Sequence, residues 1–421
     1  MSVAMTALDT EQDALRRDSG DPLPARRDAF EIPPWPGGAY PEWAYFAGNS
    51  LGLLPRSARP ALAAELTAWS TLAVESWFEG DDPWLEASAS TRGPLARLVG
   101  AEAHEVATMN SLTVNLHLLL ASFYRPDGDR YRIVVEDSAF PSDSHAVQSQ
   151  AALHGHDPAD AVVRAPVDDL LATIDREGDR LALVLLGAVN YLTGERLDVP
   201  VLTAAAHAVG AVSGWDLAHA IGNVPVALHD AGSDFAVWCH YKYVNAGPGA
   251  PGGLFVHDRH GTDPSRPRLA GWWGVDRAER FRMEPDFVPA AGADGWAVST
   301  PPILSLAPLR ASLALFDDVG LPALRERSMR LTAYLEMLLD DVASRRQIGL
   351  PTPRDPERRG CQLSVSTHDA RALATRLRER HGVVCDFREP DVLRFAPVPL
   401  SNTFHDCWRA AVALDDVLGN A

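Results

Sequence analysis

Lysine is almost absent from this 421-residue chain: among its 38 lysines and arginines only Lys242 is a lysine. Cysteine is scarce as well. Cys239, Cys361, Cys385 and Cys407 lack metal-ligand spacing and are too few for a disulfide framework, so the sequence predicts a reduced, cytoplasmic setting. No apolar run reaches the ~18 residues of a membrane span. The N-terminus, with Asp9, Glu11, Asp13, Asp18 and Asp21, lacks the basic start and apolar centre of a signal peptide. Positive charge is in deficit, the net charge being −18, which argues against nucleic acid or an anionic membrane as the main partner. What remains is 46% hydrophobic and 22% charged, the balance of a soluble globular protein long enough for two domains.

An arginine stays protonated, whereas a buried lysine can lose its proton and attack a carbonyl. The lone lysine is therefore the first candidate for covalent chemistry, and a Schiff base to pyridoxal 5'-phosphate (PLP) is the chemistry that fits first. Its setting supports this over a leftover surface residue: Phe235 to Cys239 reads as a strand entering the core, and Asn245 to Gly253 is a glycine-rich loop behind it.

Residues 1 to about 40 are polar and proline-rich and read as an arm that orders only against something else. Ala61–Thr71 and Leu85–Val99 have helical spacing. Beyond them, strand-like runs (Tyr131–Glu136, Leu181–Leu186, Ala211–Asp216, Phe235–Cys239, Gly253–Val256) alternate with helical ones (Ser142–His154, Val201–Val209). That alternation predicts an α/β fold with a mostly parallel sheet covered on both faces. After Pro301-Pro302 come long helices, Ile303–Val319 and Leu321–Arg345, with strands at Gln362–Val365 and Val392–Phe395. The expected organisation is an arm over 1–40, a large domain over 41–304 and a smaller α+β domain over 305–421.

Several motifs are compatible with a ligand. Gly48-Asn49-Ser50-Leu51-Gly52 suits close approach of backbone to a ligand, or an ordinary helix entry. Asn110-Ser111-Leu112-Thr113 opens an apolar helix, either as a phosphate site or as a plain N-cap. Phe140-Pro141-Ser142-Asp143 follows a strand end, where Phe140 can stack on an aromatic cofactor and Asp143 can reach its polar edge; a capped turn is the alternative. Asp216 ends a strand 26 residues before Lys242, and His219 follows it. A carboxylate there can keep a pyridine nitrogen protonated. The pair Trp272-Trp273 and Arg394 on a C-terminal strand are not diagnostic by themselves.

In order, FAGNSLGLLP, NSLTVNLHLLL, FPSD, VNYLTGE, DLAHAIGNV, HYKYVNAGPG, GWWG, STPPI and RFAPVPL resemble kynureninase, a PLP enzyme of the aspartate-aminotransferase fold class (fold type I). The resemblance runs from Tyr45 to Leu400. It implies that Lys242 carries the cofactor, that Asp216 pairs with the pyridinium and that Phe140 stacks on the ring beside Pro141, Ser142 and Asp143. Leu112, Thr113 and Tyr241 would serve the phosphate, with Tyr241 also suited to relaying a proton, and His219 would contact the cofactor. Trp272 and Thr300 would complete that site. Arg394 would clamp the substrate carboxylate, with Asn49, Ser50, Trp77 and Thr300 also on the substrate side. A homodimer is implied too, because this fold class builds its site at a two-fold interface. The implied reaction is hydrolytic cleavage of L-kynurenine to anthranilate and L-alanine in tryptophan degradation, with no metal.

The sequence departs from the family at Gly187, where a serine or threonine is common, so one hydroxyl near the cofactor is missing. Thr300 and Trp77 replace an asparagine and a histidine of the animal enzymes, as in the bacterial form, and predict L-kynurenine over 3-hydroxykynurenine. Two other readings compete: a desulfurase or β-eliminating lyase on the same scaffold, and a PLP-binding regulator without turnover. No cysteine stands in an obvious flexible glycine-rich loop, which weighs against the desulfurase. Retention of Lys242, Asp216, Tyr241 and Arg394 weighs against the regulator.

Overall fold

Short β-branched runs form the centre of the molecule. The computed structural model describes residues 9–419. Seven strands make the main sheet: β1 (Val106–Met109), β2 (Arg132–Glu136), β3 (Val162–Ala165), β4 (Leu181–Gly187), β5 (Val212–Asp216), β6 (Phe235–Cys239) and β7 (Gly252–Val256). Their order is β1-β7-β6-β5-β4-β2-β3, and only β7 runs antiparallel to its neighbours. Successive side chains point to opposite faces, and both faces are buried. Ile133, Val135, Phe235 and Val237 enter one core, while Val134, Ala236 and Trp238 enter the other. The mostly parallel, doubly covered sheet expected from the alternation is what forms.

Strands β1 and β3 escape the apolar-run criterion because Thr108 interrupts VATM and Arg164 interrupts VVRA. The helix expected over Leu85–Val99 is a correction. Two 3₁₀ turns, Trp84–Glu86 and Ala89–Thr91, precede a helix that starts only at Arg92. The hydroxyls of Ser90 and Thr91 donate to the carbonyls of Ala87 and Ser88, satisfying the backbone locally instead of in a continuous helix.

Named here in chain order, the helices that matter are α1 (Glu11–Ser19), α2 (Ala58–Leu72), α3 (Leu112–Phe123), α4 (Pro141–Leu153), α5 (Ile303–Val319), α6 (Leu321–Ala343) and α7 (Phe404–Gly419). Helix α5 crosses the predicted division at residue 305: its Leu306, Leu309, Leu313 and Phe316 belong to the large core. A separate core gathers Leu331, Leu335 and Leu338 of α6 with Leu393, Phe395 and α7. Its sheet is β8 (Leu363–Ser366), β9 (Asp386–Arg388) and β10 (Val392–Phe395), in the order β8-β10-β9.

The arm is a second correction; its first eight residues lie outside the described ones. The remainder folds onto its own chain. Thr10 and Asp13 form a capping box on α1, and Ala14 is buried in the small core. The Asp18 carboxylate accepts from the N–H groups of Phe404 and His405 at the start of α7. Asp21 is fully buried and pairs with Arg327 at 2.7 Å and Arg330 at 2.8 Å. The acidic residues of this segment cap a helix and pair with arginines.

Candidate active site

At the C-terminal ends of the parallel strands, where open α/β sheets hold ligands, Glu136, Gly187 and Asp216 end three neighbouring strands and line one pocket. Lys242 follows the fourth, β6, and lines it too. The lysine turn is lashed down. Buried His240 accepts from Trp238 Nε1 at 2.7 Å through Nε2, and its Nδ1 donates to the Pro251 carbonyl at 2.6 Å. Burial pushes its pKa down to about 4, so the ring keeps the neutral tautomer these two bonds require. Gly52 presses on the same turn: a Cβ there would lie 2.4 Å from the Lys242 carbonyl and 2.8 Å from Asn245 Cα. This close backbone approach is the use of the FAGNSLG glycine, and it is a contact within the protein.

Lys242 Nζ lies 3.1 Å from His219 Nε2 and 5.8 Å from the centroid of the Phe140 ring. Burial, then the charges of Lys242 and Arg394, hold His219 well below its usual pKa, so it meets the lysine as a neutral acceptor. Asp216 accepts from the Ala218 N–H at 2.6 Å and shares a hydrogen bond with Asp143. Burial raises the pKa of both carboxyls, and in Asp143 the charge of Asp216 adds to it. A cation between such acids is the natural complement.

The same pocket wall also carries uncharged polar groups. Thr113 Oγ1 and Ser142 Oγ, in the first turns of α3 and α4, stand 2.7 Å apart, and neither helix has a side-chain cap. Two uncapped helix starts offer free N–H groups to an anion. Asp143 Oδ1 and His219 Nδ1 are buried without a hydrogen-bond partner among the described residues. A phosphate-bearing, protonated heteroaromatic ring matches these features, and PLP is such a ring.

Of the predicted cofactor residues, Leu112, Thr113, Phe140, Ser142, Asp143, Asp216, His219, Tyr241 and Lys242 come together on the pocket wall. Pro141 does not; it starts α4. Trp272 stands off the wall, 41% exposed, its Nε1 donating to the Arg280 carbonyl. Thr300 is exposed in the loop before α5. Trp77 packs edge-on against Trp84 and tilted against Trp273.

Arg394, expected to clamp the substrate, is fully buried on β10 and does not line this pocket. Its Nη1 donates to the Tyr191 carbonyl at 2.7 Å; its Nη2 reaches Asp386 at 2.6 Å and Ser50 Oγ at 3.2 Å. Arg388 pairs with the other Asp386 oxygen at 2.8 Å. Asn49 is buried and donates to Gln362 at 2.8 Å. Sequence reasoning did not reach Asp386, Arg388, Glu136, Val189 or Tyr191. Glu136 carried a signal as a strand-end carboxylate like Asp216, and Val189 and Tyr191 stand in the VNYLTGE motif without a role read for them.

Elsewhere Glu105, His229 and His257 converge. There the Glu105 oxygen facing both rings already accepts from His229 Nδ1 and the Asp258 N–H, which makes it a buried ion pair.

A kynureninase C-terminal domain model matches residues 324–414. Kynureninase of Salinispora tropica is 58% identical over 97% of both chains, and that of Myxococcus xanthus 49% identical over 97% of both. Among solved structures, a variant of the lyase C-DES with glycine covalently linked to its PLP cofactor superposes with a TM-score of 0.76 at 20% identity, covering 92% of this chain and 99% of that one. A cysteine desulfurase of Escherichia coli gives 0.73 at 18% identity over 90% and 95%. These two share the PLP fold type I architecture and no more, whereas the identity to the two kynureninases runs over nearly the full length of both chains. The chain belongs to the kynureninase family.

Proposed function

We propose that this pocket, loaded with PLP, binds L-kynurenine and divides the work of its hydrolysis to anthranilate and L-alanine among the residues named here. The geometry that carries the reading is Lys242 Nζ facing His219 and Phe140, with the Asp143–Asp216 pair and the Thr113–Ser142 hydroxyls lining the same pocket.

PLP supplies an electron sink for charge that develops at the substrate Cα and Cβ. The protein holds and aims it. Thr113, Ser142 and the first-turn N–H groups of α3 and α4 take the phosphate, and Asp216, steadied by Asp143, keeps the proton on the pyridine nitrogen. Lys242 Nζ is the covalent tether and afterwards moves the proton at the substrate Cα. Neutral His219 accepts from Nζ and directs it. Tyr241 is partly exposed on the wall, and burial of its ring pushes its pKa up, so its hydroxyl stays protonated as a donor to Cβ, which remains with alanine when the bond to Cγ breaks. Arg394 exchanges Asp386 for the substrate carboxylate, a bidentate pairing that fixes orientation.

The proposed assembly is a homodimer in the cytoplasm. Trp272 and Thr300 stand off the wall of their own pocket yet are exposed, which supports their facing a partner's pocket. No described helix is long and apolar enough to cross a membrane. The desulfurase alternative lacks its nucleophile: Cys239, Cys361 and Cys407 are buried, and burial pushes the Cys385 thiol up to about 12.

Adding L-kynurenine to PLP-loaded protein should release fluorescent anthranilate, with kcat/KM at least about tenfold above that for 3-hydroxykynurenine. No anthranilate, or sulfur transfer from cysteine in its place, would overturn the reading; equal use of both substrates would overturn the specificity.

A further inference from the structure

Glu136 has no part in the work assigned above, yet it ends β2 on the pocket wall and is only 2% exposed. A carboxyl so deeply placed beside two others is costly to ionise, and such placement marks functional groups. Its contacts lead away from the cofactor end. Oε2 accepts from the Gly187 N–H and Oε1 from Asn190 Nδ2, both at 3.2 Å. Asn190 in turn builds a tight turn: its Oδ1 accepts from the N–H groups of Leu192 at 2.9 Å and Thr193 at 3.0 Å and from the Thr193 hydroxyl. The carbonyls of that turn face the small domain. Tyr191 O receives Arg394 Nη1 at 2.7 Å and Gln362 Nε2 at 3.1 Å, and Leu192 O receives Ser364 Oγ at 2.6 Å.

We propose that Glu136 is a positioning residue for substrate binding: through Asn190 it fixes the 190–193 turn, and through the Tyr191 carbonyl that turn aims the Arg394 guanidinium. The inference rests on the reading of Arg394 as the carboxylate clamp. It gives Gly187 a physical reason, because a Cβ there would lie 3.2 Å from Glu136 Oε1, against a carboxylate pinned by two bonds. It also links the two domains, since Arg394 lies on β10 and Glu136 on β2.

Only the ionised carboxylate offers two full acceptors; protonation turns one oxygen into a hydroxyl. Burial raises the Glu136 pKa to about 7, with the charges of Asp216 on β5 and of Asp137, the next residue in the chain, adding to it. The charge of Glu136 in turn adds to the raised pKa of Asp143 on α4, and Lys242 lines the same wall. The grip on the turn should therefore be full above neutrality and weaken as the pH falls through about 7.

The test is Glu136→Gln in the PLP-loaded enzyme, with KM and kcat for L-kynurenine measured from pH 6 to 9. A glutamine keeps the shape but cannot accept from both donors. The expected result is a KM raised about tenfold at pH 8, kcat within about twofold and PLP affinity unchanged. The rise of KM toward acid seen in the parent should be lost. Arg394→Gln and the double variant separate the causes. If Arg394→Gln leaves KM unchanged, the clamp reading falls. If Arg394→Gln raises KM and Glu136→Gln does not, only the Glu136 proposal falls. Loss of PLP affinity and kcat together in Glu136→Gln would also overturn it. In the double variant the Glu136 effect should vanish.

Discussion

Lys242 Nζ and His219 Nε2 stand 3.1 Å apart in a pocket where burial keeps the imidazole neutral. The lysine therefore meets an acceptor in place of a second cation, and its amine is directed without being repelled. Because the ring carries no charge to lose between about pH 6 and 8, His219→Gln should leave the acid limb of the kcat profile in place. Losing the ring should still weaken PLP binding by about tenfold. Profiles of kcat against pH, with PLP affinity by absorbance titration, check both. A shifted acid limb would mean that His219 itself titrates during turnover.

Gly52 tests whether the loop before α2 supports the lysine turn. A methyl group there meets backbone atoms of Lys242 and Asn245, which cannot swing aside as a side chain end could. Gly52→Ala should cost about 1–3 kcal/mol of stability and lower PLP affinity, both readable from thermal melts with and without PLP. Unchanged values in both would show that the turn has slack.

Asp234, at the start of β6, is a stability element remote from the chemistry. Burial alone would raise its pKa. Hydrogen bonds from His207 first, then His260, the Ser213 N–H and Arg259, outweigh burial and hold it well below the usual carboxylate range. A depressed carboxyl contributes its stability in full above the unfolded pKa of about 4. That contribution is lost as the pH falls through the folded value. Asp234→Ala leaves two histidines and an arginine uncompensated and should cost about 3–5 kcal/mol at pH 7. Below about pH 4 the gap to the parent should narrow. Urea melts at pH 7 and 3.5 measure it, and a gap that stays constant with pH would contradict the ionised reading.

Much of this was legible in residues alone, for a physical reason. Lys242 and Asp216 could be placed because short apolar runs mark strands and ligands gather at their C-terminal ends. Thr113 could be placed because a polar loop there runs into an apolar helix, and Ser142 because the family motif that names it follows a strand end. What stayed hidden depends on contacts between distant parts of the chain. Asp386 and Arg388 matter because β9 brings them to Ser50 and Arg394, which no local pattern announces. Trp77 illustrates the opposite case: a position taken from family resemblance, which the fold sets among Trp84 and Trp273. The polar, proline-rich composition of the arm did not reveal its docking, because composition cannot tell a solvated aspartate from Asp21, whose side chain is buried between two arginines.

The central claim is that the only lysine in the chain tethers the cofactor, and borohydride reduction of the PLP-loaded protein followed by peptide mass spectrometry tests it most directly. The account predicts a single pyridoxyl label, on Lys242, and none in Lys242→Arg, which should also lose turnover. A label on any other residue, or a Lys242→Arg protein that still produces anthranilate, would contradict it.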